Sequence, residues 1–262
     1  MRGTTRVWVC GLGLGLWLLL GCSTPVDPVH LRRAEASRQL ASVKLSKGQV
    51  ERAIVEYEQS LKLNERDPET HFGLSEAYRR KGYYDLAEEH LLRTLELDPL
   101  NLEARLNLGV VYMQQGRWED AIRENDRLVK DPGFLRSERA LVNRGWAHYK
   151  SGALEKAEED FRAALATEPK NYFAHLNLGI VLYDAGRSAA AAEEFEEVLT
   201  ILKTRPAAVV APLLAQARYR LAQAHVKLGQ RTQAVEQLRL AATEGGQGEW
   251  ARRSREYLDL LQ

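Results

Sequence analysis

A glycine followed five positions later by an alanine recurs six times along this chain of 262 residues and constrains its fold more than any other feature. Successive alanines of these pairs are 34, 34, 36, 34 and 43 residues apart. A nearly fixed period of this length predicts an elongated array of stacked copies of one supersecondary unit. The pairs are Gly48/Ala53, Gly82/Ala87, Gly116/Ala121, Gly152/Ala157, Gly186/Ala191 and Gly229/Ala234.

The residues around these pairs resemble the tetratricopeptide repeat, a helix-turn-helix unit of about 34 residues. Position 8 of every unit, where two helices cross closely, is Gly, Ala or Ser, and position 7 is leucine except at Arg144. The resemblance implies an all-α fold, a right-handed α-solenoid in which residues 249-262 add a C-terminal capping helix. The six predicted units are 34-67, 68-101, 102-135, 138-171, 172-205 and 215-248.

Two insertions interrupt the period. Two extra residues fall within 131-137, between units three and four, and nine follow unit five around Thr204 to Pro212. We interpret the second insertion as a lengthened helix that ends in a turn at Pro212.

Residues 1-21 are predicted to be a cleaved lipoprotein signal peptide. Arg2 and Arg6 precede an uncharged apolar stretch that is short for a spanning helix. The stretch ends in Leu-Leu-Gly-Cys, which resembles the lipobox of bacterial lipoproteins and implies lipidation of Cys22. We expect residues 22-33 to be a tether, and Ser23 resembles the signal that sorts lipoproteins to the periplasmic face of the outer membrane.

Composition and motifs exclude several classes of function. Lys and Arg total 37 against 36 Asp and Glu, so a nucleic-acid partner is not expected. The six histidines lie in different segments, with no pair at the sequence spacing of metal ligands. No phosphate-binding loop or nucleophile motif follows the signal. We therefore expect no catalytic or metal site, no cofactor and no small-molecule substrate.

The predicted partner-binding groove lies in units three to five. In tetratricopeptide proteins positions 5, 9 and 12 of a unit face the concave surface, and in these units all nine are apolar or aromatic, with Phe173 adjoining them. Such a strip predicts a groove for an amphipathic segment of a partner. Alternatively, these side chains pack against neighbouring helices or beneath the last helix. The ten residues are Leu106, Val110, Met113, Val142, Trp146, Tyr149, Phe173, Leu176, Ile180 and Tyr183.

The whole arrangement resembles the type IV pilus secretin pilotins of the PilF/PilW/Tgl type. The most specific stretches are Asn107-Leu108-Gly109, Asp131-Pro132-Gly133-Phe134 and the Ala-Leu-x-Asn-x-Gly sequence of residues 140-145. The resemblance implies an outer-membrane lipoprotein that binds secretin subunits and promotes their membrane insertion and multimer assembly, and hence pilus biogenesis and twitching or gliding motility. The alternatives are a lipoprotein scaffold for peptidoglycan hydrolases or other envelope complexes, and a component of outer-membrane protein insertion.

Overall fold

The computed structural model describes residues 27–261, apart from the side chains of residues 207 and 208, so the predicted signal peptide and Cys22 lie outside the described residues. No helix in the described range is long and apolar enough to cross a membrane. Residues 27–261 form α1 (Pro28–Ser46), α2 (Val50–Leu63), α3 (Pro68–Lys81), α4 (Tyr84–Leu97), α5 (Leu102–Gln114), α6 (Trp118–Lys130), α7 (Ser137–Lys150), α8 (Leu154–Thr167), α9 (Tyr172–Asp184), α10 (Ser188–Leu202), α11 (Ala207–Lys227), α12 (Arg231–Glu244) and α13 (Glu249–Leu261).

The helices stack in chain order, which confirms the predicted all-α solenoid. Each helix packs against the next one along the chain, and the odd-numbered helices α5, α7, α9 and α11 also contact one another from unit to unit. The odd-numbered helices are the first helices of their units, so their side chains form one continuous face.

The repeated glycine and alanine have separate structural roles. The six glycines lie in the turns between paired helices with φ from 73° to 88°, a left-handed conformation that glycine adopts without steric cost. The alanines are completely buried, which allows the second helix of each unit to approach the first. A larger side chain at these alanines would hold the two helices apart.

Position 8 shows how closely the two helices of a unit cross. A Cβ atom added to Gly145 would lie 2.9 Å from the ring of Phe161, and one added to Gly179 would lie 2.6 Å from the ring of Phe195. Both rings are fully buried. Each ring therefore occupies the space that a side chain at the glycine would need.

The first insertion adds an apolar residue to the core. Phe134 is buried against Leu106, Leu128 and Ala140, between the last helix of unit three and the first of unit four. Arg144 of α7 replaces the usual leucine, and it pairs with Asp126 of α6 across this junction at 2.7 Å and with Asp160 of α8 at 2.6 Å. Ion pairs thus hold a contact that is apolar in the other units.

The second insertion differs from the prediction. Helix α10 ends at Leu202, and the additional residues instead lengthen α11, which has 21 residues and includes Pro212 within it. A proline inside a helix costs about 3 kcal/mol. Val210 is buried, and full burial of such a side chain contributes about 1.5–3 kcal/mol, which offsets much of that cost. Leu213 packs against the same cluster and adds to it.

The predicted tether is also shorter than expected, because residues 28–33 belong to α1. Pro28 is the first residue of the helix, and the side chain of Asp27 accepts a hydrogen bond from the Val29 amide at 2.9 Å. Proline at the first helical position and an acidic N-cap together favour helix initiation. Pro28, which we expected to lie in the tether, therefore begins the solenoid.

Two histidines that the sequence separates meet within unit two. His71 Nε2 donates to the carbonyl of Glu65 at 3.0 Å, so in neutral His71 the Nδ1 atom accepts from His90 Nδ1, 2.8 Å away. At the equivalent positions of unit five, His175 Nδ1 donates to the Glu194 carboxylate at 2.6 Å. Unit two therefore has two titratable rings where unit five has a histidine and an acid.

The two pairs shift their histidine pKa values in opposite directions. Burial, reinforced by the charge of His71, lowers the pKa of His90, although Glu89 and Glu58 oppose the shift. Burial alone would lower the pKa of His175, but hydrogen bonds to Glu194 and to the Pro169 carbonyl raise it.

We predict opposite pH responses in units two and five. Because the pKa of His90 is lowered in the folded state, its contribution to the free energy of unfolding is present above the unfolded-state pKa of about 6.5. That contribution is lost as the pH falls through the folded-state pKa. The raised pKa of His175 gives stability that is present below its unfolded value and is lost as pH rises through the folded value. When the pH is lowered from neutral to mildly acidic, the rate of amide hydrogen exchange should therefore rise in α3 and α4 relative to α9 and α10. The rates are compared after correction for the intrinsic pH dependence of exchange.

The variant His90→Glu supplies the control. It gives His71 the carboxylate partner that His175 has, so acidification should then protect α3 and α4 by roughly 1 kcal/mol relative to the native protein. Unchanged pH behaviour in this variant would show that the histidine pair does not control the stability of unit two.

Candidate partner-binding groove

A cleft on the continuous face of the first helices is the candidate site. It has a volume of about 410 Å³ and is formed by α5, α7 and α9, the first helices of units three, four and five. Its apolar wall consists of Val110, Met113, Val142, Trp146 and Phe173, and its polar rim of Arg139, Asn143, Asn171 and Asn177.

Five of the ten predicted groove residues therefore line the cleft, while three others are in the core. Leu106, Leu176 and Ile180 are buried between helices. Leu106 packs against the inserted Phe134, and the other two belong to a cluster that includes Val210 of the lengthened α11. The alternative interpretation, packing against neighbouring helices, holds for these three residues.

The two predicted tyrosines lie beside the cleft but do not line it. The Tyr149 ring contacts that of Trp146 at a tilt, with centroids 5.1 Å apart, and its hydroxyl donates to Asp184 Oδ2 at 2.7 Å. Burial and this hydrogen bond raise the pKa of Tyr149 to about 12, so the hydroxyl stays protonated at neutral pH. Tyr183 is half-buried next to the same acidic residue. Tyr149 supports the orientation of the Trp146 ring from behind the cleft.

A cation also holds the tryptophan side of the wall. The Lys150 ammonium lies 5.7 Å from the Trp146 ring centroid and 5.9 Å from that of Trp118. An ammonium near an aromatic face is attracted to it by about 0.5–1 kcal/mol at an exposed site. Tyr149 and Lys150 thus both contact the Trp146 ring within the protein itself.

Phe173 forms the opposite edge of the wall and is 48% exposed. Its ring contacts that of Tyr172, with centroids 4.3 Å apart. The Asn171 side chain caps α9 by accepting from the Ala174 amide at 3.0 Å. The cap fixes the first turn of α9 and so places Phe173 at the mouth of the cleft.

The polar rim was missing from the residues that we predicted for the site. Asn143 and Asn177 occupy position 6 of their units, where asparagine is common in tetratricopeptide repeats, so they carried little signal. Arg139 occupies position 2 of unit four, the same position as Phe173 in unit five, and that equivalence could have identified it. Their amide and guanidinium groups can bond to the main chain of a segment in the cleft.

The last helix does not fill the cleft. Helix α13 packs on α12 and α11, where Tyr257, Leu258 and Leu261 contact the core cluster of Leu238. Trp250 lies 5.4 Å from the Tyr219 ring, which occupies position 5 of unit six. Helix α13 thus covers the end of the array and leaves the surface of units three to five open.

The chemistry of the cleft suits binding. Its wall is apolar and includes a flexible methionine, which adapts to irregular partners. Within residues 27–261 no group of three or more His, Cys, Asp or Glu side chains is placed to hold a metal ion. A cleft of this size lies within the range of about 300–1,000 Å³ that is usual for ligand pockets, and apolar side chains of a protein segment fit its walls.

Comparison with known families identifies the class of the protein. The tetratricopeptide repeat family matches residues 41–82, 80–133, 142–208 and 215–243. The chain belongs to the tetratricopeptide repeat family, whose members are generally non-catalytic scaffolds for protein–protein interactions.

Solved structures with the same fold include two proteins of type IV pili. PilW, described as a widely conserved type IV pilus biogenesis factor, superposes with a TM-score of 0.74 at 19% identity, covering 84% of this chain and 97% of PilW. PilF of Pseudomonas aeruginosa superposes with a TM-score of 0.69 at 16% identity, covering 87% of this chain and 99% of PilF. At these identities the similarity establishes the shared fold.

Curated relatives match only parts of longer proteins. The TPR repeat-containing protein MJ1428 of Methanocaldococcus jannaschii is 28% identical over 167 residues, which is 60% of this chain and 29% of that protein. Hsp70-Hsp90 organizing protein 3 of Arabidopsis thaliana is 31% identical over 106 residues, which is 38% of this chain and 18% of that protein. The chain thus spans less than a third of the length of these relatives.

Two substitutions on α9 should distinguish a residue of the protein core from a residue of the cleft wall by their effects on stability. Leu176→Ala removes a side chain that is only 4% exposed and should lower the free energy of unfolding by about 2–5 kcal/mol. Phe173→Ala, three residues earlier on the same helix, should change it by less than about 1 kcal/mol because the ring is half exposed. Urea unfolding followed by circular dichroism measures both, and equal losses would place Phe173 in the core.

Proposed function

We propose that this protein is an outer-membrane lipoprotein that binds the secretin of type IV pili and promotes its membrane insertion and multimer assembly. The observation that carries the proposal is the nearly full-length likeness to PilW and PilF, which extends over 97% and 99% of those chains. A tetratricopeptide repeat protein of Parabacteroides merdae covers 91% of this chain but 86% of its own length, at a TM-score of 0.66. MamA of Desulfovibrio magneticus covers 97% of its own length but 66% of this chain. The lipobox-like sequence at Cys22 supports the same assignment.

The cleft of units three to five is the proposed contact with the secretin. An amphipathic segment can place its apolar side chains against Trp146 and Phe173 while its polar side stays in water. Met113 adapts to the shape of these side chains. The contacts of Trp146 with Tyr149 and Lys150 restrict its side chain, which lowers the conformational entropy that binding would cost on this side of the interface.

The proposed lipid anchor assists assembly through concentration. Helix α1 begins six positions after Cys22, and at about 3.3 Å per residue the intervening chain reaches at most about 20 Å. A secretin segment held in the cleft is therefore confined near the bilayer into which the secretin inserts. Confinement of this kind raises the effective local concentration of subunits and favours multimers without a catalytic step.

Deletion and cleft variants test the proposal in cells that carry this protein and a pilus secretin. We predict that deletion abolishes detergent-resistant secretin multimers. Trp146→Glu with Phe173→Glu should do the same, because binding an apolar segment would then bury two unpaired carboxylates at a high cost in desolvation free energy. The measurement is the amount of multimer in outer-membrane fractions. Tyr83→Glu with Leu100→Glu is the matched control, since both residues are exposed and lie outside the cleft.

Each outcome has a distinct meaning. Normal multimers after deletion would refute the secretin function and favour a scaffold for peptidoglycan hydrolases or other envelope complexes. Multimers that are lost on deletion but normal in the cleft variant would retain the function and exclude the cleft. Loss in both the cleft and control variants would point to impaired folding, which circular dichroism of the purified variants decides.

A further inference from the structure

The solenoid begins with a helix face that nothing in the described residues covers. Val29, Leu40 and Val43 on α1 are all exposed, and Ala36 lies exposed between them. Their spacings of 7, 4 and 3 residues place all four on one side of the helix. The opposite side of α1 is the buried one and carries Ala34, Ala41 and Leu45.

Comparison with the other units shows that this face carries the residue type that is buried between units elsewhere in the array. Leu40 occupies position 7 and is 45% exposed, whereas the leucines at position 7 of units two, three, five and six are at most 2% exposed. In unit two, Leu74 packs against Ala53 and Tyr57 of the preceding second helix. Within residues 27–261 no second helix precedes α1, so Leu40 lacks the cover that its equivalents have.

The charges beside the stripe are positive. Arg32, Arg33 and Lys47 border it on the helix surface, and none of them forms an ion pair with a carboxylate in the described part of the chain. The other two cations of this segment are occupied elsewhere, since Arg38 pairs with Asp67 and Lys44 with Glu56.

Charge and position together select the occupant. A second copy of α1 on the same stripe would oppose its cations to identical cations, whereas anionic lipid headgroups would neutralise them. The inference rests on the membrane attachment proposed above. The apolar stretch of residues 7–20 ends eight positions before Pro28, so either a retained segment or a lipid on Cys22 would hold α1 near a bilayer.

We propose that this face of α1 docks on an anionic lipid surface. The helix lies in the plane of the interface with Leu40 and Val43 at the acyl boundary and Arg32, Arg33 and Lys47 at the phosphates. The contact fixes the orientation of the solenoid on the bilayer. It does not depend on which partner occupies the cleft of units three to five.

A fluorophore on α1 of the full chain tests the contact. Cys10→Ser and Cys22→Ser remove the native thiols, and Val43→Cys carries an environment-sensitive dye. The matched reporter is Leu100→Cys, at an exposed leucine in the turn between α4 and α5. Both proteins are mixed with vesicles of phosphatidylcholine alone or with added phosphatidylglycerol, each containing brominated acyl chains that quench dyes at the bilayer.

We expect the dye at position 43 to shift to the blue and to be quenched when phosphatidylglycerol is present, while the dye at position 100 is unaffected. Each cation near an anionic surface changes the ratio of lipid-bound to free α1 about fivefold. Arg32→Glu with Lys47→Glu should therefore lower that ratio by at least about twentyfold. Both residues are exposed, and thermal unfolding checks that the variant is folded.

Four results would overturn the proposal. The dye at position 43 could remain unquenched on anionic vesicles, or be quenched equally on phosphatidylcholine alone. Blue emission in water that increases with protein concentration, together with dimers in sedimentation, would assign the face to a second copy. Blue emission that is independent of concentration would assign it to residues 1–26 of the chain itself.

Discussion

The close crossing of the two helices within a unit is the contact on which the rest of the structure depends. Small residues at position 8 and at the repeated alanine remove side chains from the crossing, and the rings of Phe161 and Phe195 fill the space that remains. A crossing so tight has one geometry, which each unit repeats. Because each unit contacts mainly its neighbours, the same local geometry sets the course of the whole array.

The cleft follows from this repetition and from the places where it is interrupted. Regular stacking brings α5, α7 and α9 side by side and gives a surface of side chains at fixed intervals. The inserted Phe134 draws Leu106 into the core at one border, and the lengthened α11 draws in Ile180 at the other. The open apolar wall lies on α5, α7 and α9, with Val142 and Trp146 at its centre.

The sequence was sufficient to predict the fold because the same residue pattern, with the same structural requirements, occurs in six units. The position of each glycine, alanine and leucine in the unit has a single structural reason, and the helix pairs follow from them. The site was only half predictable, since whether Leu176 or Phe173 faces solvent depends on the approach of neighbouring units, which a single unit does not encode. The contact of His71 with His90 was missed because pairing between two helices has no fixed sequence spacing.

The two ends of the array differ in whether a further repeat could stack on them. At the C-terminal end α13 takes the place of a further first helix and presents Arg252, Glu256 and Leu260 outward, a mostly polar surface that does not invite another unit. At the N-terminal end Leu40 already has the residue type that an added unit would bury. Duplication of a repeat before α1 would therefore find a complementary surface in place, whereas duplication after α13 would first require loss of that helix. An added unit could thus stack on the N-terminal end of the array without loss of an existing helix.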